Sequence, residues 1–196
     1  MVRGKKTSPL VAVYYELVRL KQLCRRGWLR RGIPKERCES VAEHSFGVAL
    51  LAYLVAEEHF PELDLSKVLR LALLHDLGEI DAGDLTPADN VGPREKHRRE
   101  RQSVVRVLGQ MPQGAQYIAL WEEYERQESP EARFVRQIDR LEMALQASAY
   151  EHREAVDLAE FYASAASSQT AAPLRRLLAE LEDLRPSREA PSCPPA

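Results

Sequence analysis

Two histidines and two aspartates have the side-chain types that bind divalent transition metals. They are His44, the adjacent pair His75 and Asp76, and Asp139. All four fall within otherwise apolar segments, where an ionised carboxylate without a partner is costly. Each could be a core residue satisfied by its own hydrogen bonds, but a single metal ion accounts for the whole set. Two imidazoles and two carboxylates give mixed nitrogen and oxygen ligation and leave coordination positions for water and substrate.

Three predicted core helices would carry these residues. A stripe of apolar residues spaced by three and four places His44 on the inner face of a helix over residues 39–58. His75 and Asp76 lie on an apolar helix that is predicted to continue to Gly83. Asp139 lies at the inner edge of a helix that runs from residue 130 to about residue 150, with Glu142 beside it. The three helices should therefore bring the four residues together.

Glu79 follows His75 by about one helical turn. A carboxylate at this distance from a metal ligand could take a proton from water or give one to a leaving group. The alternative is a structural salt bridge to Arg70 or Arg140. The sequence leaves both roles open.

Residues 25–40 form a basic segment with two glycines and a proline, which predicts a loop. It is either a solvated connection or an anion-binding site in which a guanidinium binds phosphate. Trp28 offers a flat apolar surface on which a base or sugar could pack. The residue pattern alone favours neither interpretation.

Helical periodicity continues through the rest of the chain, and no segment shows the alternation of a strand. Further helices are predicted from Leu10 to near Cys24, over residues 95–108 with an exposed first half, over residues 117–126 and over residues 174–184. We therefore expect an all-α protein with one domain over residues 1–184 and a disordered tail over residues 185–196.

Composition limits the classes of partner. The chain has 196 residues, with 28 Lys and Arg against 30 Asp and Glu, so no strong field favours a nucleic acid polymer or an acidic membrane. No apolar run approaches the roughly 20 residues of a membrane span. Cys24, Cys38 and Cys193 are far apart, which favours reduced thiols. We expect a cytoplasmic protein that acts on a small molecule.

The sequence resembles the HD-domain metal-dependent phosphohydrolases, and within them the 5'-deoxynucleotidase branch. The resemblance rests on His44, His75, Asp76 and Asp139, which match the H…HD…D signature. Four longer phrases, in the same order, extend it: residues 39–45 (ESVAEHS), 70–90 (RLALLHDLGEIDAGDLTPADN), 95–100 (EKHRRE) and 120–151.

This resemblance implies a helical HD-domain bundle that binds one divalent metal, which could be Mn²⁺, Co²⁺, Fe²⁺ or Zn²⁺, through the four signature residues. It implies a catalytic role for Glu79, a catalytic or substrate-binding role for Asp84 and a phosphate contact for Arg25, with Arg26 as the alternative. Trp28 would lie near the sugar. The implied substrate is a deoxyribonucleoside 5'-monophosphate, and the implied assembly is a homodimer. If Trp28 packs against the deoxyribose, an added 2'-hydroxyl would be buried without a partner, so we expect a preference over the ribose counterpart of about 5- to 150-fold.

Two other functions fit the same residues. The four ligands also serve dNTP triphosphohydrolases, cyclic-nucleotide phosphodiesterases and alarmone hydrolases. The chain could also be a non-catalytic helical module that keeps a metal for stability, although Glu79 and Asp84 would have no use there. His59, His97 and His152 are expected on the surface, and the charged run over residues 95–101 is expected to be a solvated face.

Overall fold

The protein is built from helices throughout residues 7–186, the part of the chain that the computed structural model describes. Within this part there is no β-strand, and one isolated antiparallel bridge joins Cys24 to Ser40. The all-α prediction is confirmed. The helices are α1 (Pro9–Leu20), α2 (Arg26–Arg30), α3 (Val41–His59), α4 (Leu65–Leu74), α5 (Glu79–Ala82), α6 (Pro93–Leu108), α7 (Gly114–Arg126), α8 (Pro130–Glu151), α9 (Ala159–Ser168) and α10 (Ala172–Asp183), with single 3-10 turns at Lys35–Arg37 and Pro87–Asp89.

Side-chain caps begin the three helices that position the site. Ser40 Oγ accepts the backbone N–H of Glu43, and the Glu43 carboxylate accepts the backbone N–H of Ser40, so α3 begins with a capping box. Asp64 caps α4 and Ser129 caps α8 in the same way, each by accepting a backbone N–H. These caps satisfy backbone donors that no carbonyl of the helix can reach.

Helices α3, α4 and α8 pack against one another at the centre of the molecule. Their inward apolar residues belong to the larger of two buried clusters, which also takes in Trp28 and residues of α9 and α10. A second cluster lies among α1, α5, α6 and α7, with Trp121 as its largest buried side chain. The described residues therefore pack around two hydrophobic clusters.

The structure departs from the predicted elements in four places. The first helix, predicted to end near Cys24, ends at Leu20, and Cys24 instead forms the bridge to Ser40. The helix predicted to reach Gly83 ends at Leu74, and α5 begins only after a turn. The predicted basic loop contains the short helix α2. Helix α9 was not predicted, because its alanines and serines carry a weak apolar pattern although three of its residues are buried.

The predicted tail begins within the ordered structure. Arg185 donates two hydrogen bonds to the carboxylate of Glu151, at 2.8 and 3.0 Å. The rest of that tail, residues 187–196, lies outside the described residues, as do residues 1–6 of the predicted domain. Among the helices that the structure describes, none combines the length and apolar character needed to cross a membrane.

Candidate metal centre

Two imidazoles face each other between α3 and the end of α4. His44 and His75 are both buried, and their Nε2 atoms lie 3.4 Å apart. Asp76 Oδ2 lies 3.6 Å from His44 Nε2 and 3.3 Å from His75 Nε2. Ligand atoms about 2.1 Å from a tetrahedral metal ion lie about 3.4 Å from one another. The three atoms therefore have the spacing that one transition-metal ion requires.

Asp139 joins this cluster from α8. Its Oδ1 lies 3.2 Å from His44 Nε2, and its Oδ2 lies 3.9 Å from Arg140 Nε. His44, His75 and Asp76 form a group whose atoms are close enough to hold one ion, and Asp139 borders that group through His44. The structure thus brings together three of the four residues that were predicted as metal ligands, and places the fourth, Asp139, in contact with His44.

Hydrogen bonds on the far side of each imidazole orient its Nε2. His75 Nδ1 lies 2.7 Å from the Ala72 carbonyl oxygen, which can only accept, so Nδ1 must carry the proton. His44 Nδ1 lies 2.7 Å from Glu142 Oε2, and the carboxylate is the natural acceptor. Both Nε2 atoms then point to the same place, as in carboxylate-supported metal sites. This donor set fits a divalent transition metal.

The cluster is balanced by its own opposite charges. Burial and the charge of Arg25 would lower the pKa of His44, but hydrogen bonds to Asp139 and Glu142 prevail and raise it to about 10. Burial would raise the pKa of Asp139, but the hydrogen bond from His44 holds it below its usual range. A bound cation would take over this balancing role, because imidazole ligands bind a metal in their neutral form.

Glu79 lies beside the metal cluster, at the start of α5. Its side chain is buried and its Oε1 is 3.8 Å from Arg25 Nη1, so Arg25 is its ion-pair partner rather than Arg70 or Arg140. Among the described residues its Oε2 has no hydrogen-bond partner. Burial first, and then the neighbouring Asp76, raise the pKa of Glu79 well above its usual value, while Arg25 opposes them. A carboxyl group with these properties can hold and transfer a proton.

Arg25 lies at the centre of the neighbouring acidic groups. Its Nη1 is 3.1 Å from Asp84 Oδ1 and 3.3 Å from Asp76 Oδ2. Asp84 also accepts the backbone N–H of Arg26, whereas the side chain of Arg26 forms an ion pair with Asp89 at 2.7 Å. Of the two arginines considered for the phosphate contact, Arg25 is therefore the one whose guanidinium lies beside the metal cluster.

Trp28 is a core residue in this structure. Its side chain is only 1% exposed, with Phe161 and Tyr150 packed against the ring at centroid distances of 4.0 and 5.3 Å. Its Nε1 donates a 2.7 Å hydrogen bond to Glu39 Oε1. The open face on which a sugar was expected to pack is covered, because α9 lies against it. A sugar contact would need these aromatic neighbours to move, and it stays a prediction.

Three residues support the centre in ways that the sequence did not predict. Glu142 orients His44, and its position three residues after Asp139 was the available signal. Glu39 binds Trp28, and burial followed by the charge of Glu142 raises the pKa of Glu39 to about 7. Trp121 Nε1 donates to the His75 carbonyl oxygen at 3.1 Å. No local pattern points to this last contact, since the two residues lie 46 positions apart.

The first half of α6 was expected to be a solvated face, and the structure corrects this. Near the surface, Glu95 does form ion pairs with both Arg98 and Arg99. Glu100, however, is buried, and His97 stacks on Trp121 with ring centroids 5.4 Å apart. The sequence did not predict this inner face, because Glu100 and His97 are polar and add nothing to an apolar pattern.

Comparisons with known proteins agree with this geometry. The family model described as HD domain matches residues 17–181. The chain is 42% identical to 5'-deoxynucleotidase HDDC2 of Bos taurus over 167 residues, which is 83% of this chain and 79% of that protein. It is 37% identical to 5'-deoxynucleotidase hdd1 of Schizosaccharomyces pombe over 158 residues, which is 78% of this chain and 77% of that protein.

A solved structure gives the same result at the level of the fold. A protein from Pyrococcus horikoshii OT3 superposes with a TM-score of 0.76 at 30% identity, covering 89% of this chain and 99% of that one. The family-model match over residues 17–181 includes every residue of the candidate metal centre.

Proposed function

Since this chain belongs to the HD-domain family, we propose that it is a metal-dependent 5'-deoxynucleotidase. It would hydrolyse deoxyribonucleoside 5'-monophosphates to the deoxyribonucleoside and phosphate. The observation that carries the proposal is the convergence of His44, His75 and Asp76 within 3.6 Å, beside a buried Glu79 and Arg25. A structural metal site has no need of the last two residues.

The proposed ligands are His44, His75, Asp76 and Asp139, and their mixed donors suit Mn²⁺, Co²⁺, Fe²⁺ or Zn²⁺. When bound there, such an ion supplies a Lewis acid for the phosphoryl group and makes water more acidic. Glu142 keeps the His44 lone pair directed inward, and the Ala72 carbonyl does the same for His75. These two contacts thereby fix the orientation of the two proposed imidazole ligands.

The proton chemistry is assigned to Glu79. Its Oε2 is buried and unpartnered among the described residues, so it is available to a water molecule or to the 5'-oxygen of the leaving nucleoside. Arg25 is assigned to the phosphate, because a guanidinium has five donors, and its carboxylate contacts with the described residues use only Nη1. Asp84 holds that guanidinium in place, which supports its role near the substrate.

We also propose that the protein acts as a homodimer, with no nucleic acid polymer or membrane as partner. An exposed apolar stripe on α3 supports the dimer: Phe46, Leu50 and Leu54 are 67%, 47% and 51% exposed and recur every four residues. The opposite face of α3 lies in the core. A stripe of this kind can pair with its own copy across a two-fold axis. The cytoplasmic location stays a prediction from composition.

A phosphate-release assay tests the proposal. The purified protein is incubated with nucleoside mono- and triphosphates, in deoxy and ribo forms, together with each of the four metals. We expect phosphate from deoxyribonucleoside monophosphates only when metal is present. Faster turnover of dATP would assign the chain to the triphosphohydrolases, and no release with any metal would favour a non-catalytic module.

A further inference from the structure

Helix α6 lies directly against the turn that carries the metal ligands. A Cβ added at Gly78, between Asp76 and Glu79 in sequence order, would lie 2.6 Å from Glu100 Cβ and 3.0 Å from Glu100 Cα. Only a residue without a side chain allows this approach. The inner face of α6 is therefore fixed relative to Asp76 and Glu79.

Lys96 lies on this inner face, one turn before Glu100. Its Nζ is 3.4 Å from Glu100 Oε1, and its side chain is 41% exposed. The Lys96 ammonium also interacts electrostatically with Glu79 and with Asp76. Burial would lower the pKa of Lys96, but the charges of Glu100, Glu79 and Asp76 raise it. The Lys96 ammonium is thus a positive charge at the edge of the site, in contact with Glu100.

The acidic groups around Arg25 would oppose a phosphate anion. Asp76, Glu79 and Asp84 share the single guanidinium of Arg25. A phosphate monoester would bring up to two further negative charges. The charges of Arg25 and Lys96 both lower the pKa of Glu79, and the two residues lie on different elements, the segment before α2 and α6.

We propose that Lys96 is a second phosphate-binding residue, which contacts the substrate phosphate across Glu79 from Arg25 and is held there by Glu100. This inference rests on the proposed nucleotidase function. The 3.4 Å contact with Glu100 is longer than a tight ion pair, and the partial exposure of Lys96 leaves its remaining donors for a ligand. The charged phrase over residues 95–100 then belongs to the active site on its inner face.

The test compares three variants of the metal-loaded protein. Lys96→Met removes the charge but keeps the aliphatic chain, Lys96→Arg restores the charge, and Arg99→Met removes a charge from the outer face of the same helix. We expect Lys96→Met to lower kcat/KM for dAMP by about 10- to 100-fold, mainly through KM, with substantial recovery in Lys96→Arg and no change in Arg99→Met.

Binding of inorganic phosphate, followed by calorimetry, provides a measurement that does not depend on turnover. The affinity should fall by a similar factor in Lys96→Met only. Unchanged phosphate affinity in a folded Lys96→Met protein would overturn the proposal and leave Lys96 as a partner of Glu100. Should Lys96→Met not fold, Lys96→Arg and Lys96→Gln decide by the same two measurements. Absence of turnover in the unaltered protein would instead reject the nucleotidase function, while phosphate binding would still test Lys96.

Discussion

Asp76 and Glu79 lie three positions apart, yet their surroundings differ. Asp76 Oδ2 lies within 3.6 Å of both imidazole Nε2 atoms, whereas Glu79 contacts Arg25 and keeps one oxygen free of hydrogen bonds within the described structure. Burial would raise the pKa of Asp76, but the charge and the hydrogen bond of His75 outweigh it and hold that pKa well below its usual value. The same burial raises the pKa of Glu79. The two carboxyl groups are thus suited to different roles.

Substitution separates these roles. We expect Glu79→Gln to keep its metal and to lose about 10²- to 10⁴-fold in kcat, because the amide cannot transfer the proton. Asp76→Ala should lose both metal and activity and should unfold more easily, since it leaves buried ligands unpaired. Metal content by atomic absorption and phosphate release check both variants. Loss of metal from Glu79→Gln would make Glu79 a ligand, and full activity would make it a structural residue.

Trp28 tests whether a core residue can also determine sugar preference. Trp28→Ala should lower the free energy of unfolding by about 3–5 kcal/mol, because it removes a buried ring. Trp28→Phe keeps an aromatic ring and loses the bond to Glu39, at a cost of about 1–2 kcal/mol. Denaturant unfolding measures both costs, and the ratio of kcat/KM for dAMP over AMP should narrow in Trp28→Phe if the ring contacts the sugar. An unchanged ratio would leave Trp28 with a packing role only.

Among the structural elements, the turn between α4 and α5 does most to shape the site. Residues 70–83 have a helical pattern, yet the helix breaks after Leu74 and the backbone continues with hydrogen bonds between residues three apart. Trp121 binds the His75 carbonyl from α7, and Glu100 of α6 crowds Gly78. Contacts from two other helices therefore override the local helical preference here.

Gly78 provides a direct test of this packing. Gly78→Ala should destabilise the protein by about 1–3 kcal/mol and reduce activity, since the added methyl must displace Glu100 or the turn. Thermal unfolding and phosphate release measure the two effects. Gly92→Ala is the matched control, because nothing lies within 4 Å of its Cβ position. Equal stability of the two variants would show that α6 can shift without cost.

At the scale of the whole molecule, α3 connects the active site to the predicted dimer. Its inner face carries His44, and its outer face carries the exposed stripe of Phe46, Leu50 and Leu54. We expect Leu50→Glu to convert a dimer to a monomer in sedimentation experiments, because a charge buried in an apolar interface is costly. Val105→Glu changes an exposed apolar residue on α6 and should leave the assembly intact. A monomeric unaltered protein would reject the dimer.

The sequence by itself determined the fold class and the chemical character of the centre. Apolar residues spaced by three and four predicted the helices that carry His44 and Asp139, because one face of each must be buried. The same periodicity brought two imidazoles and two carboxylates to inner positions. The resemblance of residues 39–151 to the HD-domain phosphohydrolases is confirmed by the family model, which spans residues 17–181.

Only the tertiary structure decided how these residues are used. The guanidinium of Arg25, rather than that of Arg26, meets Asp84 across 59 positions of sequence, and Glu142 meets His44 across 98. Trp28 is covered by Phe161 of a helix that local pattern did not predict, and Glu100 turns inward against Gly78. Such contacts depend on how distant helices pack, and polar residues at buried positions carry no apolar signal. Periodicity along the chain therefore predicts which face is buried, while the pairing of buried polar groups emerges only when the helices meet.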